Sequence, residues 1–470
     1  MTAARTNAAR YVSTRGRAPA LGFDGALLAG LAPDGGLYMP EAWPTLDMAG
    51  LAGLDYPALA ARVMAPFAAD AIDEHDLGAL IRDAYAGFDH RAIVPLVQID
   101  TDTWLLELFH GPTLAFKDLA LQVLGRLFDR ALAARGERVT IVGATSGDTG
   151  SAAIAACRDR ASMDVVILHP KGRTSDVQRR QMTTVDSANV HNIAIEGTFD
   201  DCQALVKGLF ADARFRDEQR LAAINSINWA RIAAQVPYYV AAARALGAPQ
   251  RAVAFVVPTG NFGDVFAGYV AARMGLPVAR LVVATNTNDI LARVLATGDY
   301  RRGTVVPTLA PSMDIQVASN FERLVFELVG RDGARVQTLM DQLGHDGGFV
   351  LAPEALAHAR ALFAGHRADD AAMTATMAEV CARTGQVIDP HTACGVAAVP
   401  AAAVAPGTPV VVLATAHPAK FADAVADAIG RPPPLPPALA DPADKPERCT
   451  ALPNDLGAVA AFIRARTARG

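Results

Sequence analysis

The sequence predicts an α/β protein built on open, mostly parallel sheets, preceded by a small N-terminal unit. Three observations carry this. From residue 92 onward, short apolar runs alternate with helical stretches, which is the pattern of parallel strands buried on both faces. The first 95 residues lack that alternation. The chain of 470 residues, 51% hydrophobic and 19% charged, is long enough for two or three domains and too apolar to be disordered.

In the N-terminal unit, Tyr11–Ser13 is a strand candidate and residues 32–40, APDGGLYMP, form a turn cluster. Residues 55–87 read as helical, with starts at Asp55 and Asp73. Asp24, Asp34 and Tyr38 read as turn and surface residues. The later strand candidates are 93–98, 104–109, 139–143, 164–169, 190–195, 252–257, 280–284 and 410–414, with helices over 118–134 and 149–158 among the connections. A Pro-rich tail over 432–448 leads to a last strand and helix. The expected layout is an N-terminal domain over 1–95, an α/β core over 96–430 and a closing segment over 431–470.

Composition excludes several classes. A net charge of −5 without stripes of Lys or Arg argues against a nucleic-acid surface. Five cysteines (157, 202, 381, 394 and 449) without a CxxC pair argue against a disulfide framework or a thiolate metal site. His110, His391 and His417 have no metal-ligand spacing, so no metal is expected. The Ala-rich tract 391–409 is broken by Pro400, Pro406 and Gly407, so no membrane span is expected. The opening MTAARTNAARYVSTRG has no apolar secretory core. The expected location is the cytoplasm.

Four loops carry chemistry. In HGPTLAFKDLALQ, 110–122, an apolar strand runs into a turn and then a helix, with Lys117 at the helix start among apolar neighbours. A helix N-terminus disfavours a cation, and an amine desolvated there loses its proton more readily, as a Schiff-base lysine must. The plainer alternative is a first-turn lysine on a core helix. In GATSGDTG, 143–150, Thr145, Ser146 and Thr149 offer hydroxyls, and Gly147 lets the backbone approach a ligand. A helix start of this kind suits a carboxylate or phosphate, or is simply a capping loop. In PTGNFGD, 258–264, Gly260 and Gly263 bracket Asn261 and Phe262. That is a phosphate cradle without either nucleotide signature, or plain turn chemistry. Asp264 reads as a helix cap. In LATAHPAKF, 413–421, Thr415 is a neutral hydroxyl at a strand end with the polar groups of His417 and Lys420 near it, or these are plain turn and surface residues. Together the four loops supply the parts that pyridoxal phosphate needs.

With PSMDIQVASNFER, 311–323, and TAHPAKF, these motifs closely resemble the threonine synthase family, pyridoxal-phosphate enzymes of fold type II. The resemblance covers nearly the whole chain, on the side of the longer bacterial and fungal members. It implies a catalytic core of two subdomains that binds pyridoxal 5'-phosphate, and conversion of O-phospho-L-homoserine and water to L-threonine and phosphate. By position, Lys117 resembles the Schiff-base lysine. Gly260, Asn261, Phe262 and Gly263 resemble the cofactor-phosphate loop, Asp148 a neighbour of the cofactor 3'-hydroxyl, and Thr415 the hydroxyl facing the ring nitrogen. Thr145, Ser146, Gly147 and Thr149 resemble the substrate-carboxylate loop. Lys171, Arg173, Ser319, Asn320, Arg323 and Lys420 are candidates for the substrate phosphate, which needs cations. The implied partner is the small-molecule substrate, with no nucleic acid and no membrane, on a monomer or homodimer. Rival readings are a threonine/serine dehydratase or cysteine synthase of the same class, a non-enzymatic binding protein on the same scaffold, and a nucleotide-binding enzyme.

Overall fold

The computed structural model describes residues 9–145, 147–222, 226–440 and 445–467. By internal contacts the chain forms two units, one from residues 1–110 and 226–434, the other from 111–225 and 435–470.

The first unit opens with the antiparallel pair Tyr11–Ser13 and Tyr38–Pro40. Helices Tyr56–Ala68 and Glu74–Tyr85 follow. They start where expected, because Asp55 accepts from the Ala58 N–H and Asp73 from the Asp76 N–H. Tyr38, expected in a turn or at the surface, is 1% exposed: all three residues of its strand are buried.

The main sheet of this unit has six strands in the order Phe363–Arg367, Val278–Thr285, Val253–Pro258, Val410–Ala414, Thr103–Glu107 and Leu96–Asp100. All neighbours are parallel except the last pair. Val253–Pro258 and Val410–Ala414 are buried at every position, which is why both read as unbroken apolar runs. Leu96–Asp100 is a partly exposed edge strand. It begins later than expected because Ile93 takes a left-handed φ of 62° and donates to the His90 carbonyl in a turn. Phe363–Arg367 was not expected at all. It follows a helix directly, and its sequence FAGHR has no apolar run.

The second unit is a five-stranded, all-parallel sheet. Its order is Thr450–Pro453, Val190–Glu196, Met163–Pro170, Val139–Ala144 and Leu221–Ala222. Its core packs Val142, Val166, Leu168, Ile193 and Ile195 against Leu205, Leu209, Phe215 and the last helix through Val459 and Ile463. Among the described residues no helix is long and apolar enough to cross a membrane.

Candidate active site

Both units put their chemistry beyond the carboxyl ends of parallel strands, where open α/β sheets place their ligand sites. In the second unit the turn 111–116 leads into helix Lys117–Ala133. The turn is pinned by Asp118, fully buried, whose carboxylate accepts from the Thr113 N–H at 2.8 Å and the Thr113 hydroxyl at 2.6 Å. Gly111 is required for this fold-back, since a Cβ there would lie 2.4 Å from the Asp118 Cβ. The chain holds five lysines, and burial separates them: Lys117 is 8% exposed and Lys420 4%, whereas Lys171, Lys207 and Lys445 are exposed. The Lys117 amine lies 3.7 Å from the Asp148 carboxylate and 5.6 Å from the centre of the Phe116 ring. Burial disfavours the ammonium form while the carboxylate favours it.

Asp148 begins the helix Asp148–Cys157 after strand Val139–Ala144. The loop between them is organised by Thr145. Its hydroxyl accepts from the Gly147 and Gly150 N–H groups and donates to the Gly147 carbonyl, so it is committed to the loop's own backbone. Ser146 lies outside the described residues. Gly147 is buried and Thr149 exposed. Two braces come from helix Asp176–Thr183. Gln178 donates to Asp148 at 2.9 Å, and Gln181 donates to the Thr113 carbonyl at 3.2 Å. One helix thus grips both the lysine turn and the Asp148 loop. On the same helix, Arg179, Arg180 and Thr183 bind Glu447. Arg173 is exposed on the loop after Met163–Pro170, and Lys171 pairs with Glu196 at 3.2 Å.

In the first unit, Val253–Pro258 and Val410–Ala414 are adjacent and parallel, so the loop 259–263 and the segment 415–421 leave the same end of the sheet. Phe262 is held at a left-handed φ of 64°, which costs roughly 1–2 kcal/mol in a residue with a Cβ. Burial of its ring edge-on against Phe321, at 5.3 Å and 84°, offsets that cost. The Asn261 carbonyl accepts from both the backbone and side-chain N–H of Asn320, at 3.0 and 3.1 Å. Helix Gly263–Arg273 then starts, with its first N–H groups outside the helical ladder. A Cβ on Gly260 would meet the Ser312 carbonyl at 2.9 Å, and one on Gly263 would meet Asn320 at 3.2 Å. The close packing leaves no room for a Cβ at Gly260 and little at Gly263, and the free N–H groups of the helix start beside them suit a phosphate. Thr415 and Lys420 are buried, Asn320 is fully buried and Ser319 is exposed.

Two side chains differ from expectation. Asp264 is no cap: it faces inward and accepts from the Tyr238 and Tyr239 hydroxyls. Burial pushes its carboxyl up to about 6, against the tyrosine hydrogen bonds and buried Arg231. Arg323 is 0% exposed, so it does not face a diffusing substrate. Its guanidinium donates to Asn320 and to the Tyr38 and Ile227 carbonyls, and burial pulls it down to about 9. His110 is a carboxylate-clamped ring, 2.9 Å from Asp89 and 2.8 Å from Glu107. Burial alone would lower it, but these bonds outweigh burial and raise it. Spacing gave no signal for Gln178 and Gln181. Both lie on a polar stretch, and only the fold turns them toward the loops.

Each unit carries groups of the kind that pyridoxal phosphate takes: the second a buried amine at Lys117, the first a helix-start loop over 260–263 and a buried neutral hydroxyl at Thr415. Comparison with known proteins agrees. The family model described as "Pyridoxal-phosphate dependent enzyme" matches residues 91–342, and those described as threonine synthase N terminus and C-terminal match 10–85 and 392–463. A threonine synthase of Pseudomonas aeruginosa is 54% identical over 465 residues, covering 98% of this chain and 99% of that one. Among solved structures, the PLP-bound threonine synthase of Brucella melitensis superposes with a TM-score of 0.96 at 52% identity, covering 98% of this chain and 100% of that one. The yeast threonine synthase gives a TM-score of 0.93 at 38% identity, covering 98% and 99%. A fold type II architecture, motif loops at the expected strand ends and full-length likeness lead to one conclusion: the chain belongs to the threonine synthase family of pyridoxal-phosphate-dependent enzymes.

Proposed function

We propose that the chain converts O-phospho-L-homoserine and water to L-threonine and inorganic phosphate, with Lys117 as its cofactor-linking and proton-moving group. The observation that carries this reading is the buried Lys117 amine at a helix start, 3.7 Å from Asp148. Pyridoxal 5'-phosphate, when bound, supplies an electron sink that makes the substrate's Cα proton acidic. Lys117, once free of the cofactor, takes that proton and returns protons later in the cycle. Asp148 pairs the amine whenever it is charged and faces the cofactor hydroxyl, held in place by Gln178. The backbone N–H groups over 260–263 (Gly260, Asn261, Phe262 and Gly263) hold the cofactor phosphate, and Asn320 fixes that loop through the Asn261 carbonyl. Thr415 offers the ring nitrogen a neutral partner.

The substrate carboxylate is assigned to the loop of Thr145, Ser146, Gly147 and Thr149, where Thr145 shapes the backbone that does the binding. The substrate phosphate is assigned to Lys420, with Ser319 and Arg173 at more exposed positions, and not to Asn320, whose buried side chain is bonded to Ser226, Asn261 and Arg323. The layout that goes with this reading keeps residues 1–95 as an N-terminal domain, 96–430 as the catalytic core and 431–470 as a closing segment. It describes a cytoplasmic monomer or homodimer with no nucleic-acid partner.

The test is a product assay on protein loaded with pyridoxal phosphate and fed O-phospho-L-homoserine. Phosphate and threonine are expected in equal amounts. Phosphate with 2-oxobutanoate would instead make the chain an eliminating lyase, and activity on free threonine or serine alone would make it a dehydratase.

A further inference from the structure

Gly260, Asn261, Phe262 and Gly263 carry no charge, yet a phosphate dianion favours nearby full positive charge. Of the buried cations of the first unit, which include Arg231, Arg323 and Lys420, Arg323 is bonded to Asn320, the residue that holds the 260–263 loop. Arg323 is completely buried, and all of its hydrogen-bond acceptors are neutral: the Asn320 side-chain oxygen, the Ile227 carbonyl at 2.6 Å and the Tyr38 carbonyl at 3.1 Å. Its Nε has no hydrogen-bond partner among the described residues, and its guanidinium lies 5.9 Å from the Trp229 ring centre. The adjacent Glu322 is a buried carboxylate whose charge acts on Arg323, but its hydrogen bonds come from Arg15 at 2.9 Å and the Thr14 hydroxyl at 2.6 Å. The other buried cation nearby, Arg231, has a buried carboxyl to oppose it in Asp264.

A guanidinium buried among neutral acceptors is costly unless an anion shares its low-dielectric surroundings. Arg323 is linked to the cradle by a short chain of bonds. It donates to the Asn320 side chain, and Asn320 donates twice to the Asn261 carbonyl. We infer that Arg323 is a positioning residue that supplies the counter-charge for the cofactor phosphate without touching it, and so sets the preference for phosphorylated over unphosphorylated cofactor. This rests on the cradle being the cofactor-phosphate site.

The test compares affinities of the cofactor-stripped full chain for pyridoxal 5'-phosphate and for pyridoxal, which lacks the phosphate. The wild type is expected to prefer the phosphorylated form strongly; if it shows no preference, the cradle assignment itself fails. In Arg323→Met, which keeps much of the volume and removes the charge, the preference is expected to fall by about tenfold or more, the scale of one partly screened charge. Pyridoxal affinity should stay within about threefold of wild type. Arg323→Lys should restore most of the preference. Glu322→Gln removes an opposing charge nearby and should raise the preference by roughly threefold, a reading that does not depend on Arg323→Met folding. A wild-type preference in Arg323→Met, an equal loss of both affinities, or no rise in Glu322→Gln would each overturn the inference.

Discussion

The lysine loop and the phosphate cradle have the same plan: a parallel strand, a short loop, then a helix start. They are held in different ways. Around Lys117 the fixing groups are polar side chains, namely Asp118 on Thr113, Gln178 on Asp148 and Gln181 on the Thr113 carbonyl. Around 260–263 close backbone packing at Gly260 and the buried ring of a left-handed Phe262 add to the Asn320 backbone and side-chain bonds to the Asn261 carbonyl. A group that must pick up and release protons needs polarisable, yielding neighbours. A group that binds an anion of constant shape gains from donors that do not reorganise.

The comparison can be broken at several points, the largest effect first. Lys117→Ala is expected to cut threonine formation by at least about 10⁴-fold, read as phosphate release. A variant with near-normal turnover would remove Lys117 from the chemistry. The next test sets the two loops against each other. Gly260→Ala drives a Cβ to 2.9 Å from the Ser312 backbone carbonyl, whereas in Gly147→Ala the conflict is with the end of the flexible Gln178 side chain. Gly260→Ala should weaken cofactor affinity by roughly tenfold to a hundredfold, a cost of about 1–3 kcal/mol as for overpacked core sites. Gly147→Ala should change it by less. Equal losses would erase the distinction between a rigid and a yielding loop.

Gln178→Leu removes the Gln178 hydrogen bond to Asp148, a loss of about 1–2 kcal/mol. Turnover should drop roughly tenfold, with the preference for pyridoxal phosphate over pyridoxal unchanged. A changed preference would mean that the brace serves the cradle as well. The smallest effect belongs to the tail clamp. Hydrogen bonds from Arg179 and Thr183 hold the Glu447 carboxyl down to about 2. Because that value is depressed, its contribution is present above the ordinary range near 4.5 and is lost as pH falls toward 2. Glu447→Gln should cost at most about 1 kcal/mol at neutral pH, as exposed ion pairs do. It should also flatten the acid limb of the unfolding curve, measured by denaturant melts.

Much of this was legible in the sequence because it is local. Asp55 and Asp73 cap the helices they precede. Buried parallel strands must be apolar throughout, so Val253–Pro258 and Val410–Ala414 stand out. What escaped depends on burial, which is set by the rest of the chain. Arg323 reads as an accessible cation and is enclosed by Tyr38, Ile227 and Trp229. Asp264 sits where a cap would sit, but two tyrosines from another helix draw it inward. Gln178 and Gln181 lie on a polar stretch that only the fold turns toward Asp148 and Thr113, 30 and 68 residues away.

Two buried lysines, Lys117 and Lys420, make one measurement decisive. The protein is loaded with pyridoxal phosphate, reduced with borohydride and digested, and the modified lysine is mapped by mass spectrometry. The expected result is a single pyridoxyl label on Lys117. A label on Lys420, or on none of the five lysines, would contradict the assignment of the lysine loop and the chemistry built on it.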